Sequence, residues 1–365
     1  MGSRFYYSVC QTGAEKTVKE EVLRAHPGLN FAFSRPGFIT FKEEVPEEAG
    51  ESSFIENPES VFTRIWGLSL GQARWKPEEG VRLDSLLPLI PEGAILHAFE
   101  RDAFVPGDEP EEFIPRARID ALLKKEGFLN RQELRLSGRT PKPGEWVHDL
   151  IYLDEGHVFL GKHLHHEGMD PAPGNQPSIS LPKDSPSRAY LKIEEAIHRF
   201  KPRFEKGLEV LEIGCSPGGA STAMLKRGFR VTGVDPKRVD PSVHQHPGFR
   251  LIQKTAKTIA REDLSGVNPE WLVLDMNLAP LEALDEVAQV LVHLKGIHGP
   301  KLKLREGFLT LKLNDWKFAG SIPLYLKRVA ELGFVELAAV QLCSNRQEFF
   351  VYAGGFKSPQ GKGFR

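Results

Sequence analysis

The second half of this 365-residue sequence predicts an open α/β sheet closed by an antiparallel last strand. Three observations carry that expectation. From residue 209 onward, short apolar β-rich runs alternate with amphipathic helical stretches, as parallel strands buried between helices do. The first run leads straight into a glycine-rich turn and a helix. Only five residues separate the last two runs, too few for a crossover, so the final strand must reverse.

The elements follow in order. "EVLEIGC", "RVTGVD", "FRLIQK", "WLVLDM" and "GFLTLKL" are the predicted parallel strands. "LEALDEVAQVLVHLKGI" (281–297) and "PLYLKRVAELG" (323–333) are amphipathic helices between or after them, and "FVELAAVQL" and "EFFVYAGG" close the domain. Ahead of these, "SPSRAYLKIEEA" (185–196) reads as a helix with Ser185 as N-cap and Pro186 at the first position. Ala189, Ile193, Ala196, Ile197 and Phe200 mark its buried stripe, and Glu194, Glu195 and Arg199 lie off it as solvated charges. Lys192 falls on the buried side, three after Ala189 and four before Ala196. A lysine there needs a reason.

The front half predicts smaller α+β units. "FYYSVC" (5–10) and "FITFK" (38–42) are strands around a helix near 14–25, ending at the acidic stretch 43–59. After "WKPEEGVRLD" come a strand in "AILHAFERDA", a helix near 116–126 and strands in "EWVHDLIYLDEGHVFLGKHL". The Pro/Gly/Ser-rich segment 167–187 is a linker. The expected domains are therefore 1–75, 80–170 and 180–365.

Composition is that of an ordinary soluble chain, 40% hydrophobic and 27% charged, with no apolar run of membrane-spanning length. Three separated cysteines imply no disulfide framework, and with no signal pattern at the N-terminus the expected compartment is the reducing cytoplasm. A net charge of −1 argues against generic polyanion binding. Local basic patches such as "DPKRVD" and "GPKLKLREG" are what contact phosphates. Arg116, Arg118, Lys124 and Lys125 form either a phosphate-contacting helix face or a plain solvated one. His163, His165 and His166 lack the spacing of a structural zinc site, so no metal is expected and the three read as surface or RNA-facing. Cys215 has no paired histidine to make it a nucleophile.

"LEIGCSPGGAS" is the nucleotide-like element. Gly214, Gly218 and Gly219 let the backbone approach a ligand, and the helix that follows presents N–H donors. Asp235 ends the next strand about 20 residues on, where a carboxylate can hold a ribose diol. The lysine and serine of a triphosphate-binding loop are missing, which fits an adenosine cofactor instead. Ligands of open α/β sheets bind beyond the carboxyl ends of the parallel strands. Topology brings Asp275, Lys312, the start of the reversed strand at Glu348, and the inward Lys192 to that same edge.

"SRAYLKIEE", "LEIGCSPGGAS", "LDMN", "LKL" and "QEFFVY" resemble the Lys-Asp-Lys-Glu set of the FtsJ-like ribose 2′-O-methyltransferases. The long N-terminal part is most similar to their large-subunit ribosomal RNA branch, which methylates the 2′-hydroxyl of a cytidine in 23S rRNA. The resemblance covers 185–355 by motif and 1–170 by layout. It implies a Rossmann-like S-adenosylmethionine-dependent methyltransferase sheet preceded by ferredoxin-like and THUMP-like RNA-binding α+β domains. It also implies ribosomal RNA (23S or its precursor) as partner, with neither a membrane nor an obligate protein partner. Carried over, Lys192, Asp275, Lys312 and Glu348 become the catalytic tetrad, with Lys312 as base and Lys192 as the neighbouring cation that tunes it. Ser216, Pro217, Gly218, Gly219, Asp235 and Asp275 become cofactor contacts, with Gly214 shaping the loop and Ala189 contributing through its backbone. Three positions depart from the family pattern. Glu212 stands for an aspartate before the loop, Ala220 for an aromatic after it, and Thr255 for an aspartate near adenine. Two rival readings stay open: a methyltransferase for a small molecule or protein, and a non-catalytic RNA-binding relative.

Methyl transfer to a hydroxyl needs a base, and a lysine serves only when neutral, well below its ordinary pKa of about 10.4. Two lysines crowded together are expected to lower one another, with the two carboxylates acting in the opposite sense.

Overall fold

The structure is a computed structural model and describes residues 2–46, 54–76, 83–102, 137–154, 156–205 and 207–357. The chain divides into two compact units, Met1–Ser178 and Ile179–Arg365.

The first unit is built on one seven-stranded sheet. Its strands are β1 (Gly2–Cys10), β2 (Leu29–Arg35), β3 (Phe38–Val45), β4 (Thr63–Arg74), β5 (Ile95–Glu100), β6 (Trp146–Asp154) and β7 (His157–Leu164), in the order β2-β3-β1-β4-β7-β6-β5. β5 and β6 run parallel and every other pair is antiparallel. β4 joins β7, so strands from both front segments share the sheet. Residues 77–82, which take in most of the expected boundary between those segments (76–79), lie outside the described residues, as do Arg116, Arg118, Lys124 and Lys125. The helix α1 (Glu15–Ala25) buries Val18 and Val22. β2 and β4 were not among the strands expected from the sequence; β2 exposes most of its length, so its apolar signal is thin.

Tyr7 crosses this sheet. Its ring lies over Gly67 and Gly161, where any side chain would collide with it, and its hydroxyl donates to Asp149 on β6. His163 also donates to Asp149 from Nδ1. The surface placement expected for these histidines holds for His166 alone. Alternation along β7 and just past it turns His163 and His165 inward, where both are buried. Burial lowers the pKa of His165, aided by its histidine neighbours, and keeps it neutral near pH 7. Among the described residues no group of three or more His, Cys, Asp or Glu is placed to hold a metal ion.

The second unit carries the α/β sheet: β8 (Glu209–Ile213), β9 (Arg230–Val234), β10 (Phe249–Ile252), β11 (Trp271–Asp275), β12 (Glu306–Lys312), β13 (Glu336–Val340) and β14 (Glu348–Gly354). The order is β10-β9-β8-β11-β12-β14-β13. β8 to β12 are parallel, and β14 inserts antiparallel between β12 and β13, as the short last connection requires. Its longer helices are α2 (Ala189–Phe200), α3 (Gly219–Leu225), α4 (Pro280–His298) and α5 (Ile322–Leu332). Trp271, Phe308 and Phe350 fill the core between the sheet and the α2–α3 side. Among the described residues no helix is long and apolar enough to cross a membrane.

α2 begins three residues later than its sequence predicts. Ser185 does not cap it; its hydroxyl donates instead to the Ser187 carbonyl. The cause is tertiary. Ser187 is pressed against Gly219, where a Cβ would stand 2.7 Å from the Ser187 carbonyl oxygen, so 185–188 follows the glycine turn rather than the helix.

Candidate active site

Four side chains meet beyond the carboxyl ends of β11 and β12. Asp275 and Lys312 end those two strands, Glu348 begins β14, and Lys192 projects from the buried face of α2. The contacts form a closed ring of alternating charge. Lys192 Nζ donates to Asp275 Oδ2 at 3.0 Å and lies 2.7 Å from Glu348 Oε1. Lys312 Nζ lies 3.1 Å from Asp275 Oδ1 and donates to Glu348 Oε2. Each lysine bridges both carboxylates, and the formal charges cancel.

That cancellation corrects the electrostatic expectation. Burial opposes the charge on Lys312, but Asp275 and Glu348 together outweigh burial and hold its ammonium above the ordinary lysine range. Burial alone would raise Glu348, and the two lysines overcome it, setting this carboxyl at about 2. Carboxylates at contact distance from Lys312 win over the repulsion from Lys192, because the Lys312 ammonium has two opposite charges as its nearest neighbours. The four are not equally accessible. The Lys312 side chain is 23% exposed against 10% for Lys192, so Lys312 is the lysine an incoming substrate can reach.

A residue that reads as solvated from its sequence supports the ring from behind. Glu195 is buried, one turn beyond Lys192, and accepts from the backbone N–H groups of Cys343 and Ser344 at 2.6 and 2.9 Å and from the Ser344 hydroxyl at 2.7 Å. Asn345 in the same turn donates to Glu348 Oε1 at 3.0 Å. Glu195 therefore ties the turn that leads into Glu348 to the helix that carries Lys192. A narrow helical stripe gives no hint of this, since the partner lies almost 150 residues away.

The glycine turn lies beside the ring. A Cβ at Gly214 would come within 2.6 Å of the Asp275 carbonyl oxygen, so this glycine (φ +85°) brings the turn directly against the strand end that carries Asp275. Gly218 also has positive φ and faces Val243. Asp235 shapes the turn from the neighbouring strand end, accepting from Ser216 N–H at 3.1 Å and Lys237 N–H at 2.8 Å. Each of its oxygens keeps acceptor capacity for a ribose hydroxyl. The Ser216 hydroxyl donates to the Arg238 carbonyl, and Pro217 follows in a cis peptide. Ala189 opens α2 next to this turn, and Thr255 is exposed on the loop after β10, hydrogen bonded to Thr258. Ala220 is buried inside α3.

Glu212 lies under the turn. Complete burial raises its carboxyl to about 8, with Asp275 and Asp235 adding to the effect and the Ser221 hydroxyl bond opposing it. It holds a proton at neutral pH and adds no charge beside Asp275. Cys215 is buried too, and burial pushes its thiol well above the ordinary range, which makes it inert.

Residues 186–323 match the sequence profile of the FtsJ-like methyltransferase family. The match takes in Lys192, the glycine turn, Asp275 and Lys312. Proteins called "Ribosomal RNA large subunit methyltransferase M" are similar over longer spans. That of Halorhodospira halophila is 26% identical over 352 residues, covering 94% of this chain and 95% of its own. That of Pectobacterium atrosepticum is 26% identical over 377 residues, covering 96% of each. That of Tolumonas auensis is 28% identical over 297 residues, covering 77% of each. S-adenosylmethionine is the methyl donor of the FtsJ-like domain, and the residues present fit it. The three glycines let the turn close against Asp275, Val243 and Ser187 and carry no side chain over its N–H groups, α3 starts at the turn, and the Asp235 carboxylate stands at the adjacent strand end.

Proposed function

We propose that this chain is an S-adenosylmethionine-dependent RNA ribose 2′-O-methyltransferase acting on a cytidine of 23S ribosomal RNA or its precursor, in the cytoplasm. The observation that carries the reading is the closed Lys192–Asp275–Lys312–Glu348 ring beside the glycine turn. A hydroxyl acceptor needs a base and a fixed line of attack, and this ring supplies both. Bound at the turn, S-adenosylmethionine supplies an electrophilic methyl on a cationic sulfur. Lys312, the more exposed lysine, would in its neutral form take the proton of the 2′-hydroxyl as that oxygen attacks the methyl. Asp275 and Glu348 hold the resting Lys312 protonated, so it must give up that proton to solvent before it serves as base. Lys192 and Glu348 keep Lys312 aimed. Ser216, Pro217, Gly218 and Gly219 line the donor's turn, with Ala189 and Thr255 at its margins and Asp235 at the ribose.

In this reading the first unit, comprising a ferredoxin-like segment at 1–75 and a THUMP-like segment at 80–170, recognises the RNA, and 180–365 performs the transfer. The complete ring speaks against a non-catalytic relative, despite Thr255 and Ala220. The test uses the full chain, S-adenosylmethionine and 23S rRNA prepared without this protein's activity, followed by mapping of ribose methylation. One newly 2′-O-methylated cytidine is expected. Methyl found on a base, or on protein with none on RNA, overturns the proposal.

A further inference from the structure

Among the described residues nine large hydrophobic side chains are exposed, and three of them, Leu281, Phe318 and Leu324, lie at the edge that carries Asp275 and Lys312. Leu281 and Leu324 stand in the first turns of α4 and α5, the helices that leave this edge after β11 and β12. Asp285 and Arg328 follow them by four residues each, on the same helix faces, and pair between the helices at 2.6 Å. The two leucines are thus neighbours one turn nearer the edge. Phe318 belongs to the connection between Lys312 and α5. Six residues span at most about 20 Å from Lys312, and a helical turn shortens that.

Phe318 is 41% exposed, and it is held there. Buried Leu313, Ala319 and Ile322 anchor the connection on both sides. The Asp315 side chain accepts from Lys317 N–H at 3.0 Å, and the Asp315 carbonyl accepts from Phe318 N–H at 3.0 Å. Lys317 Nζ lies 5.1 Å from the centre of the Phe318 ring and 2.9 Å from Asp315 Oδ2. In sheet order the connection lies on the opposite side of β11 from the glycine turn. An aromatic face with a cation beside it, fixed next to a transfer site, matches single-stranded nucleic acid, whose bases stack and whose phosphates seek positive charge.

We propose that Phe318, with Lys317 beside it, forms a stacking platform for an unpaired base flanking the acceptor nucleotide. The inference rests on the RNA reading above. It assigns a role in RNA binding to residues that touch neither the methyl donor nor the reacting hydroxyl.

The test measures binding by the full chain of oligocytidine strands carrying one 2-aminopurine, placed at each position in turn. Stacking on Phe318 quenches the probe. Phe318→Ala is expected to weaken binding about tenfold, the effect of one lost base stack, and to abolish the quench. Phe318→Trp keeps both, and S-adenosylmethionine affinity is unchanged in both variants, which reports an intact fold. Wild-type RNA affinity in Phe318→Ala, or no binding of the strands by wild type, overturns the platform; a surface built for a protein partner gives the first of these results. Methylation of 23S rRNA is scored separately. Quenching without methyl transfer sinks the functional reading and leaves the platform standing, whereas transfer with unaltered Phe318→Ala binding does the reverse.

Discussion

Lys312 and Glu348 sit opposite one another in the antiparallel register of β12 and β14, and the ammonium of the first donates to the carboxylate of the second. Glu348 is therefore one of two charges that keep Lys312 protonated. With Lys312 as base, the single-turnover rate rises about tenfold per pH unit below its pKa, since only the neutral form accepts a proton. Glu348→Gln removes one opposite charge, lowers the Lys312 pKa and moves the rising limb about one unit toward acid. A limb that stays in place shows that another group limits the rate.

Lys312→Arg separates charge from basicity. Arginine keeps the positive charge but has almost no neutral form below about pH 12. Both Lys312→Arg and Lys312→Met are expected to lose about 10²–10⁴-fold in single-turnover rate while retaining S-adenosylmethionine. Near-normal turnover by the arginine variant makes Lys312 a positioning residue.

Asp235 holds the glycine turn and faces the proposed ribose. Asp235→Ala is expected to weaken S-adenosylmethionine binding by roughly 1.5–3 kcal/mol, measured by titration calorimetry. Thr255→Asp is neutral or tightens it if that exposed loop position faces the adenine. Unchanged affinity in Asp235→Ala removes this strand end from the cofactor site.

Glu195 is a positioning residue, acting through the turn at 343–345. Glu195→Ala should lower kcat about tenfold and displace the pH limb, because Glu348 loses its fixed approach. Cofactor affinity should stay at the wild-type value. Glu195→Gln, which keeps one acceptor oxygen, should recover part of the rate. Loss of cofactor affinity in step with kcat would indicate general unfolding instead.

Glu212 gives a stability test. Its carboxyl is raised to about 8 from 4.5, so the folded state binds the proton more tightly than the unfolded chain does. The benefit is present in full below pH 4.5 and is lost as pH rises through 8. Glu212→Gln mimics the protonated form and should stabilise the protein at pH 8 by an amount on the order of a few kcal/mol, with little effect in acid. Equal pH dependence of melting in both proteins would place the ionisation elsewhere.

Much of the second unit was legible because its signals are local. The five-residue gap before Glu348 dictates the reversed strand, and the reversed strand puts Glu348 at the edge shared by Asp275 and Lys312. What escaped depends on distant partners. Ser187 meets Gly219, and α2 starts late; Glu195 meets a turn almost 150 residues on, and a charge that reads as solvated is buried. The direction of the Lys312 shift was missed for a related reason. Proximity of two lysines can be read from topology, but interleaving of each between two carboxylates is a matter of ångströms.

The tyrosine laid across the first sheet sets a timetable for synthesis. Its acceptor Asp149 is made 142 residues after it, and Gly161 later still. At about 5–20 residues per second the nascent chain carries an unseated Tyr7 for roughly 7–30 s. β3 closes one edge of β1 early and β4 the other, but β4 then waits as an open edge until β7 is made. An exposed strand edge recruits other strands. The slowest-closing seam of this unit is therefore β4 against β7, and a pause in translation between residues 74 and 157 prolongs the interval in which the newborn chain is most prone to aggregate.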